Sequence, residues 1–289
     1  MSYVADVTRE NLTKQARAFH TKKRLGQHFL VNPEALAEIV ETLRIKPGDK
    51  VLEIGPGIGF LTRCLSETGA DVTAIELDKE AVVNLARLTL PGVSIVQGDF
   101  LDLDISTIGD TIKIVGNVPY QITTPIVARI FGELGQPKPW LHQVDRVVLT
   151  VQREVAERFV ASPGSRDYSQ ITILVNYFAQ SRIVKKVPRD DFFPSPRVDS
   201  AVVEFVPREK PLVELTDLKL FRQVIKAGFR ARRKMLKNNL SFLHASLDDL
   251  NQAFIKAGID GSARAEDLSL QQFASLSEAL SEFDMRVRS

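Results

Sequence analysis

Between residues 50 and 151, short β-branched runs alternate with stretches of helix length, and this alternation constrains the fold more than any other feature of the chain. Residues 50–54, 72–76, 94–97, 113–115 and 146–151 read as strands. Helices are expected after the first four, near Phe60, near Lys79, from Phe100 to Ile108 and near Pro125, and a further helix from Gln152 to Val160 follows the fifth. Strands joined by helical crossovers pair in parallel and need covering on both faces. The expected architecture is therefore α/β, a Rossmann-like doubly wound sheet.

Outside that block the pattern changes. Residues 1–24 are polar and weakly patterned, which suggests an N-terminal arm or a loosely attached helix. Asn32, Pro33 and Glu34 read as an N-cap, a first-turn proline and an early acid, opening a helix to Leu43. The apolar stretch 168–179 leans towards helix, and Ser200 to Val206 reads as a strand. Beyond Pro207 only helices are expected, about 218–229, 233–243, 247–257 and 270–283. The chain thus divides into an arm (1–24), an α/β domain (25–207) and a smaller all-α domain (208–289).

Composition narrows the function classes. No apolar run reaches the roughly 18 to 20 residues that span a bilayer, and the first thirty residues lack the apolar centre of a secretory signal. Arg9, Lys14 and Arg17 are what an organelle transit peptide would carry, while Asp6 and Glu10 argue against one, so a cytoplasmic location is expected. The one cysteine, Cys64, excludes an internal disulfide and reads as a buried small hydrophobe; no clustered histidines suggest a metal. A monomer is expected. The net charge of +2 hides an uneven distribution. Arg222, Lys226, Arg230, Arg232, Arg233, Lys234 and Lys237 occur without an intervening acid, and Lys22, Lys23 and Arg24 form a second cluster, which makes polyanion binding plausible.

Two motifs carry chemistry. Gly55, Gly57 and Gly59 fall between a strand and a helix, where a ligand can approach the backbone. A dinucleotide fingerprint would place its third glycine where Phe60 stands, so a nicotinamide cofactor fits less well. Glu76, ending the second strand, is placed to accept from ribose hydroxyls, and Asp99 from an adenine amine or as a helix cap. About sixty residues after the glycine loop comes Asn117-Val118-Pro119-Tyr120. The Asn117 side-chain oxygen and the Pro119 carbonyl can accept both hydrogens of an exocyclic amine while Tyr120 stacks on the ring. That arrangement suits methyl transfer to a conjugated amine.

Lys23 to Leu30, the loop Glu53 to Gly59, Asn117 to Tyr120, Phe192 to Ser200 and Arg232 to Leu240 together resemble the small-subunit ribosomal RNA adenine dimethyltransferases of the KsgA type, over residues 22–280. The resemblance implies a class I methyltransferase domain with an RNA-binding helical domain, S-adenosylmethionine as methyl donor, no metal, and dimethylation of N6 on two adjacent adenosines in the 3′-terminal hairpin of 16S-type RNA within the immature small subunit. It implies cofactor contacts at His28, Leu30, Gly55, Gly57, Glu76, Asp99 and Asn117, with Glu53 near the methionine part. Asn117, Pro119 and Tyr120 would hold the target base, and Phe192, with Phe193 as the alternative, would stack on its other face. Lys23, Arg24, Arg230, Arg232, Arg233, Lys234 and Lys237 would meet RNA. A 23S-directed adenine methyltransferase shares the loop and the tetrapeptide. A protein glutamine methyltransferase shares the tetrapeptide but gives the basic stretch no role. A ribosome-assembly or transcription factor would use the same fold without turnover.

Overall fold

A computed structural model describes residues 8–22, 25–240 and 246–282. The chain forms two units: one runs to Gly132 and takes in Lys138–Ala156 and Gln180–Pro207, and the other holds Glu133–Pro137, Glu157–Ala179 and the chain from Arg208 onward. The single cut expected at 207 thus has a counterpart at residue 157, because the helix Gln170–Phe178 shares the second unit with the later helices.

The first unit is built on β1 (Phe29–Leu30), β2 (Lys50–Ile54), β3 (Asp71–Glu76), β4 (Val93–Gln97), β5 (Ile112–Asn117), β6 (Val144–Gln152), β7 (Ala179–Val187), β8 (Phe192–Phe193) and β9 (Ser200–Pro207). Seven of these make one sheet in the order β4-β3-β2-β5-β6-β9-β7. Strands β2 to β6 pair in parallel and β9 runs antiparallel to β6, with Ser200 opposite Gln152. The order reverses between β2 and β5, and at such a switch point the carboxyl ends of the strands diverge and leave a crevice. Strands β1 and β8 form a separate antiparallel pair, Phe29 opposite Phe193 and Leu30 opposite Phe192.

Helices α1 (Arg9–Ala18), α2 (Pro33–Thr42), α3 (Phe60–Ser66), α4 (Lys79–Ala86) and α5 (Thr123–Phe131) belong to this unit. The N-terminal segment holds a helix that is anchored: Leu12 and Ala16 of α1 are fully buried, and Arg9 pairs with Asp191. Asn32 caps α2 by accepting from Ala35 N–H at 3.1 Å, with Pro33 in its first turn. Two 3₁₀ turns, Phe100–Asp102 and Ile105–Thr107, replace the helix expected over 100–108. Asp99 and Asp104 each take the backbone N–H two residues on, and these local bonds end the helical path. Cys64 is buried in α3, where its thiol donates to the Phe60 carbonyl and burial pushes its pKa up to about 12.

In the second unit, α6 (Gln170–Phe178), α7 (Leu218–Gly228), α8 (Leu236–Asn239), α9 (Leu247–Lys256) and α10 (Leu270–Ser281) pack around Phe221, Phe254 and Phe273. The basic stretch expected to form a helix from Arg233 to Leu243 does otherwise. After α7 the chain makes a 3₁₀ turn, Phe229–Ala231, and α8 is four residues long; 241–245 lie outside the described residues. Asn239 explains the break, since its side-chain N–H₂ donates to the Gly228 and Ala231 carbonyls and so satisfies the end of α7.

Candidate active site at the switch point

A cleft of about 220 Å³ opens at the carboxyl ends of β2, β3 and β5, and one continuous lining joins both chemical motifs: Gly55, Gly57, Glu76 and Asp99 at one end, Asn117 and Pro119 at the other. Leu77, in the lining, is 54% exposed, an apolar side chain held against solvent where a flat ligand would cover it.

At the glycine end, φ is positive at Gly55 (+64°) and Gly57 (+58°), so both need glycine. A Cβ on Gly57 would lie 2.8 Å from the Phe29 ring, whereas one on Gly55 would meet nothing within 4 Å. Gly55 therefore leaves open space beside bare backbone. Glu76 accepts from Gly57 N–H at 3.0 Å and Asp78 N–H at 2.8 Å, one bond per oxygen, which leaves each oxygen able to accept another. Burial raises its pKa. Asp99 spends one oxygen on Leu101 N–H, so it caps a turn and lines the cleft at once.

Glu53 lies beneath the loop, 1% exposed, with Oε2 lacking a hydrogen-bond partner. Burial pushes its pKa up to about 8. With Leu30, Gly55 and Asn117 it lines a second void of about 30 Å³, room for a single water. These features fit the expected methyl donor: a glycine-floored crevice with a carboxylate for ribose hydroxyls at the strand end and a second, unsatisfied carboxylate below.

A covering segment forms one wall of the cleft, since Leu25, Gly26, Gln27, His28 and Phe29 all line it. Its latch is Asp78, which takes the Lys22 ammonium on one oxygen and Gln27 Nε2 on the other, at 3.0 Å. Burial alone would raise the Asp78 pKa, but the Lys22 and Gln27 bonds together hold it below the usual carboxylate range. This latch was not anticipated, although Gln27 lies within a quoted motif and Asp78 follows Glu76 at the strand end.

At the acceptor end, Asn117 donates its amide N–H to the His28 carbonyl at 2.7 Å, which turns its oxygen to the opposite edge. The Pro119 carbonyl accepts from Ile122 N–H at 3.1 Å and keeps one lone pair. The Tyr120 hydroxyl meets Ser200 Oγ at 2.7 Å. His28 lies nearly parallel to Tyr120, ring centroids 5.7 Å apart and planes at 17°, and its Nδ1 bonds the Pro194 carbonyl at 2.7 Å. A carbonyl only accepts, so Nδ1 carries the proton.

Two expected contacts are placed elsewhere. Leu30 is buried and lines only the small void, whereas Phe29 lines both the void and the cleft. Phe192, proposed as the second plate for the base, is 3% exposed and packs in the core opposite Leu30. Phe193 is partly exposed, with the Arg17 guanidinium 5.7 Å from its ring centroid. Neither phenylalanine lines the cleft, nor does Tyr120 itself, and the ring beside Tyr120 belongs to His28.

In the second unit, Arg230, Arg233 and Lys234 are exposed with no side-chain ion pair among the described residues. Arg232 is committed internally, to Glu266 at 2.9 Å and to the Arg166 and Tyr168 carbonyls. Lys237 bonds Asn251. Lys23 and Arg24 lie outside the described residues. No group of three or more His, Cys, Asp or Glu among the described residues is placed to hold a metal ion.

Residues 18–282 match the model of a family described as ribosomal RNA adenine dimethylase. Similar proteins include the ribosomal RNA small subunit methyltransferase A of Latilactobacillus sakei, 38% identical over 98% of this chain and 97% of that protein, and that of Thermosynechococcus vestitus, 39% identical over 90% and 96%. Among solved structures, the 23S rRNA methyltransferase ErmE aligns with a TM-score of 0.68 at 28% identity, covering 88% of this chain and 99% of its own. A dimethyladenosine transferase from Plasmodium falciparum aligns with the same TM-score at 25% identity, covering 88% and 96%.

Proposed function

The chain belongs to the ribosomal RNA adenine dimethylases, and from that premise we propose that it dimethylates N6 of two adjacent adenosines in the 3′-terminal hairpin loop of small-subunit, 16S-type RNA, acting on the immature subunit as a cytoplasmic monomer. The observation that carries the site assignment is the single cleft lined both by Gly55 and Gly57 of the glycine loop and by Asn117 and Pro119 of the tetrapeptide. S-adenosylmethionine, when bound, would supply an electrophilic methyl on a sulfonium, its methyl–sulfur bond breaking as the new nitrogen–carbon bond forms so that the sulfur leaves as a neutral thioether.

The residues divide the work by place. Glu76 and Asp99 hold the donor's ribose and base, and Gly55 lets it lie against the backbone. At the other end, the Asn117 oxygen and the remaining lone pair of Pro119 accept the two amine hydrogens, which sets the nitrogen lone pair on the line of attack. Tyr120 stacks on the adenine, a contact worth roughly 1 to 3 kcal/mol per base. Alignment in a site walled on one side by the covering segment supplies most of the rate, so no strong base is required. The amine becomes acidic only as the new bond forms, and its proton leaves late to an acceptor oxygen or water.

Arg230, Arg233 and Lys234 hold RNA phosphates, with recognition mainly by shape. The similarity to ErmE supports a second reading, methylation of 23S RNA. The higher identity to the small-subunit enzymes, over nearly their whole length, favours the first. Incubation of labelled donor with purified immature small subunits and, separately, large subunits tests the choice. Label as dimethyladenosine in the small subunit is expected; label confined to the large subunit would reverse the assignment.

A further inference from the structure

We propose that Ser200 is a positioning residue for methyl transfer, acting through the hydroxyl of Tyr120. Tyr120 begins a single 3₁₀ turn that runs directly into α5, which holds the residue at its backbone end. The far end of the ring is held as well. Its hydroxyl lies 2.7 Å from Ser200 Oγ, and Ser200 is 0% exposed in β9, hydrogen-bonded in register opposite Gln152 of β6. Tyrosine keeps its proton here, since burial raises its pKa, so one hydroxyl donates and the other accepts.

His28 supplies the second constraint. Its ring lies nearly parallel to the tyrosine ring, centroids 5.7 Å apart, and the residue is itself held by the Pro194 carbonyl and by Asn117. Pro194 and Ser200 belong to the stretch 192–200, which braces the tyrosine both through His28 and directly. That stretch is tied down in turn, because Asp199 accepts from Arg189 N–H and from Arg153. With the hydroxyl pinned and His28 alongside, the ring presents a set orientation to the target base. A pivot about the ring torsions would change that orientation, and transfer by alignment is sensitive to small misplacements. The cleft lining reaches this region through Asn117 and Pro119 and includes neither Tyr120 nor Ser200, so an effect of Ser200 passes through Tyr120 at the rim.

This inference rests on the reading that Tyr120 stacks on the base, and the test separates the two. Single-turnover methyl transfer at saturating RNA and donor is measured for Ser200→Ala, Tyr120→Phe, the double variant and Tyr120→Ala, together with donor affinity and thermal unfolding. Losing one hydrogen bond should slow transfer roughly three- to tenfold in Ser200→Ala and in Tyr120→Phe, with donor affinity unchanged. The double variant should be no slower than the slower single variant, since both remove one interaction. A wild-type rate in Ser200→Ala, or losses that multiply in the double variant, overturns the proposal. If Ser200→Ala fails to fold, Tyr120→Phe reads the same bond from its other end, and a wild-type rate there overturns the proposal equally. A wild-type rate in Tyr120→Ala instead removes the stacking reading beneath it.

Discussion

Glu53 behaves unlike an ordinary carboxylate because nothing in the fold neutralises it. Its oxygen is unpartnered and its pKa is pushed up to about 8 from 4.5 by burial. Folding therefore favours the protonated form, and the associated stability is present below pH 4.5 and lost as pH rises towards 8. The ligand-free protein should weaken across that window by up to about 1.4 kcal/mol per pH unit from this group. Glu53→Gln, which keeps the shape without the charge, should flatten the slope, as denaturant unfolding at several pH values would reveal; an unchanged profile would mean the site is wetter than its burial implies. At the acceptor end, Tyr120→Ala should abolish most turnover while leaving donor affinity nearly intact, since the ring lies outside the glycine end of the cleft. Equilibrium binding of the donor beside single-turnover assays separates those two effects.

At the scale of elements, the N-terminal helix has the most to prove, because the family match begins at residue 18 and α1 lies almost wholly before it. Its attachment rests on Leu12, Ala16 and the Arg9 contacts. Leu12→Ala should cost about 2 kcal/mol and accelerate proteolytic cleavage near the helix. The basic stretch splits by role. Arg232→Glu should lower the melting temperature by breaking three internal contacts, while Arg233→Glu should leave melting unchanged and weaken RNA binding; equal behaviour of the two would contradict this division. These elements also mark what the sequence could and could not disclose. Strand β2 matches its expected bounds because Val51, Leu52 and Ile54 form a compact apolar cluster that the glycine loop ends abruptly, even though the buried Glu53 interrupts it. Strand β7 escaped notice: it is an edge strand bearing Arg182, Lys185 and Lys186, and partial exposure blurs its alternation. The β1–β8 pair is two residues long, below any periodicity, yet it decides that Phe192 goes inward. Glu76, Asp99, Asn117 and Pro119 stand out by local spacing and position at strand ends, and all four line the cleft. The Ser200 and His28 contacts with Tyr120 join residues far apart in the chain, and no local spacing encodes them.

For the molecule as a whole, binding through exposed cations makes affinity a function of salt. Plotted logarithmically, RNA affinity should fall steeply with salt concentration, and neutralising Arg230, Arg233 and Lys234 together should flatten the slope by roughly two. Filter binding of the hairpin RNA at several ionic strengths gives both slopes, and identical slopes would remove these side chains from the interface. Cys64 has a quieter consequence. It is the chain's only thiol, shut away and far from forming a thiolate, so maleimides and mild oxidants should find nothing to attack in the native enzyme. A sulfhydryl introduced at a surface site would then be uniquely addressable, allowing one fluorophore per molecule on an otherwise natural background.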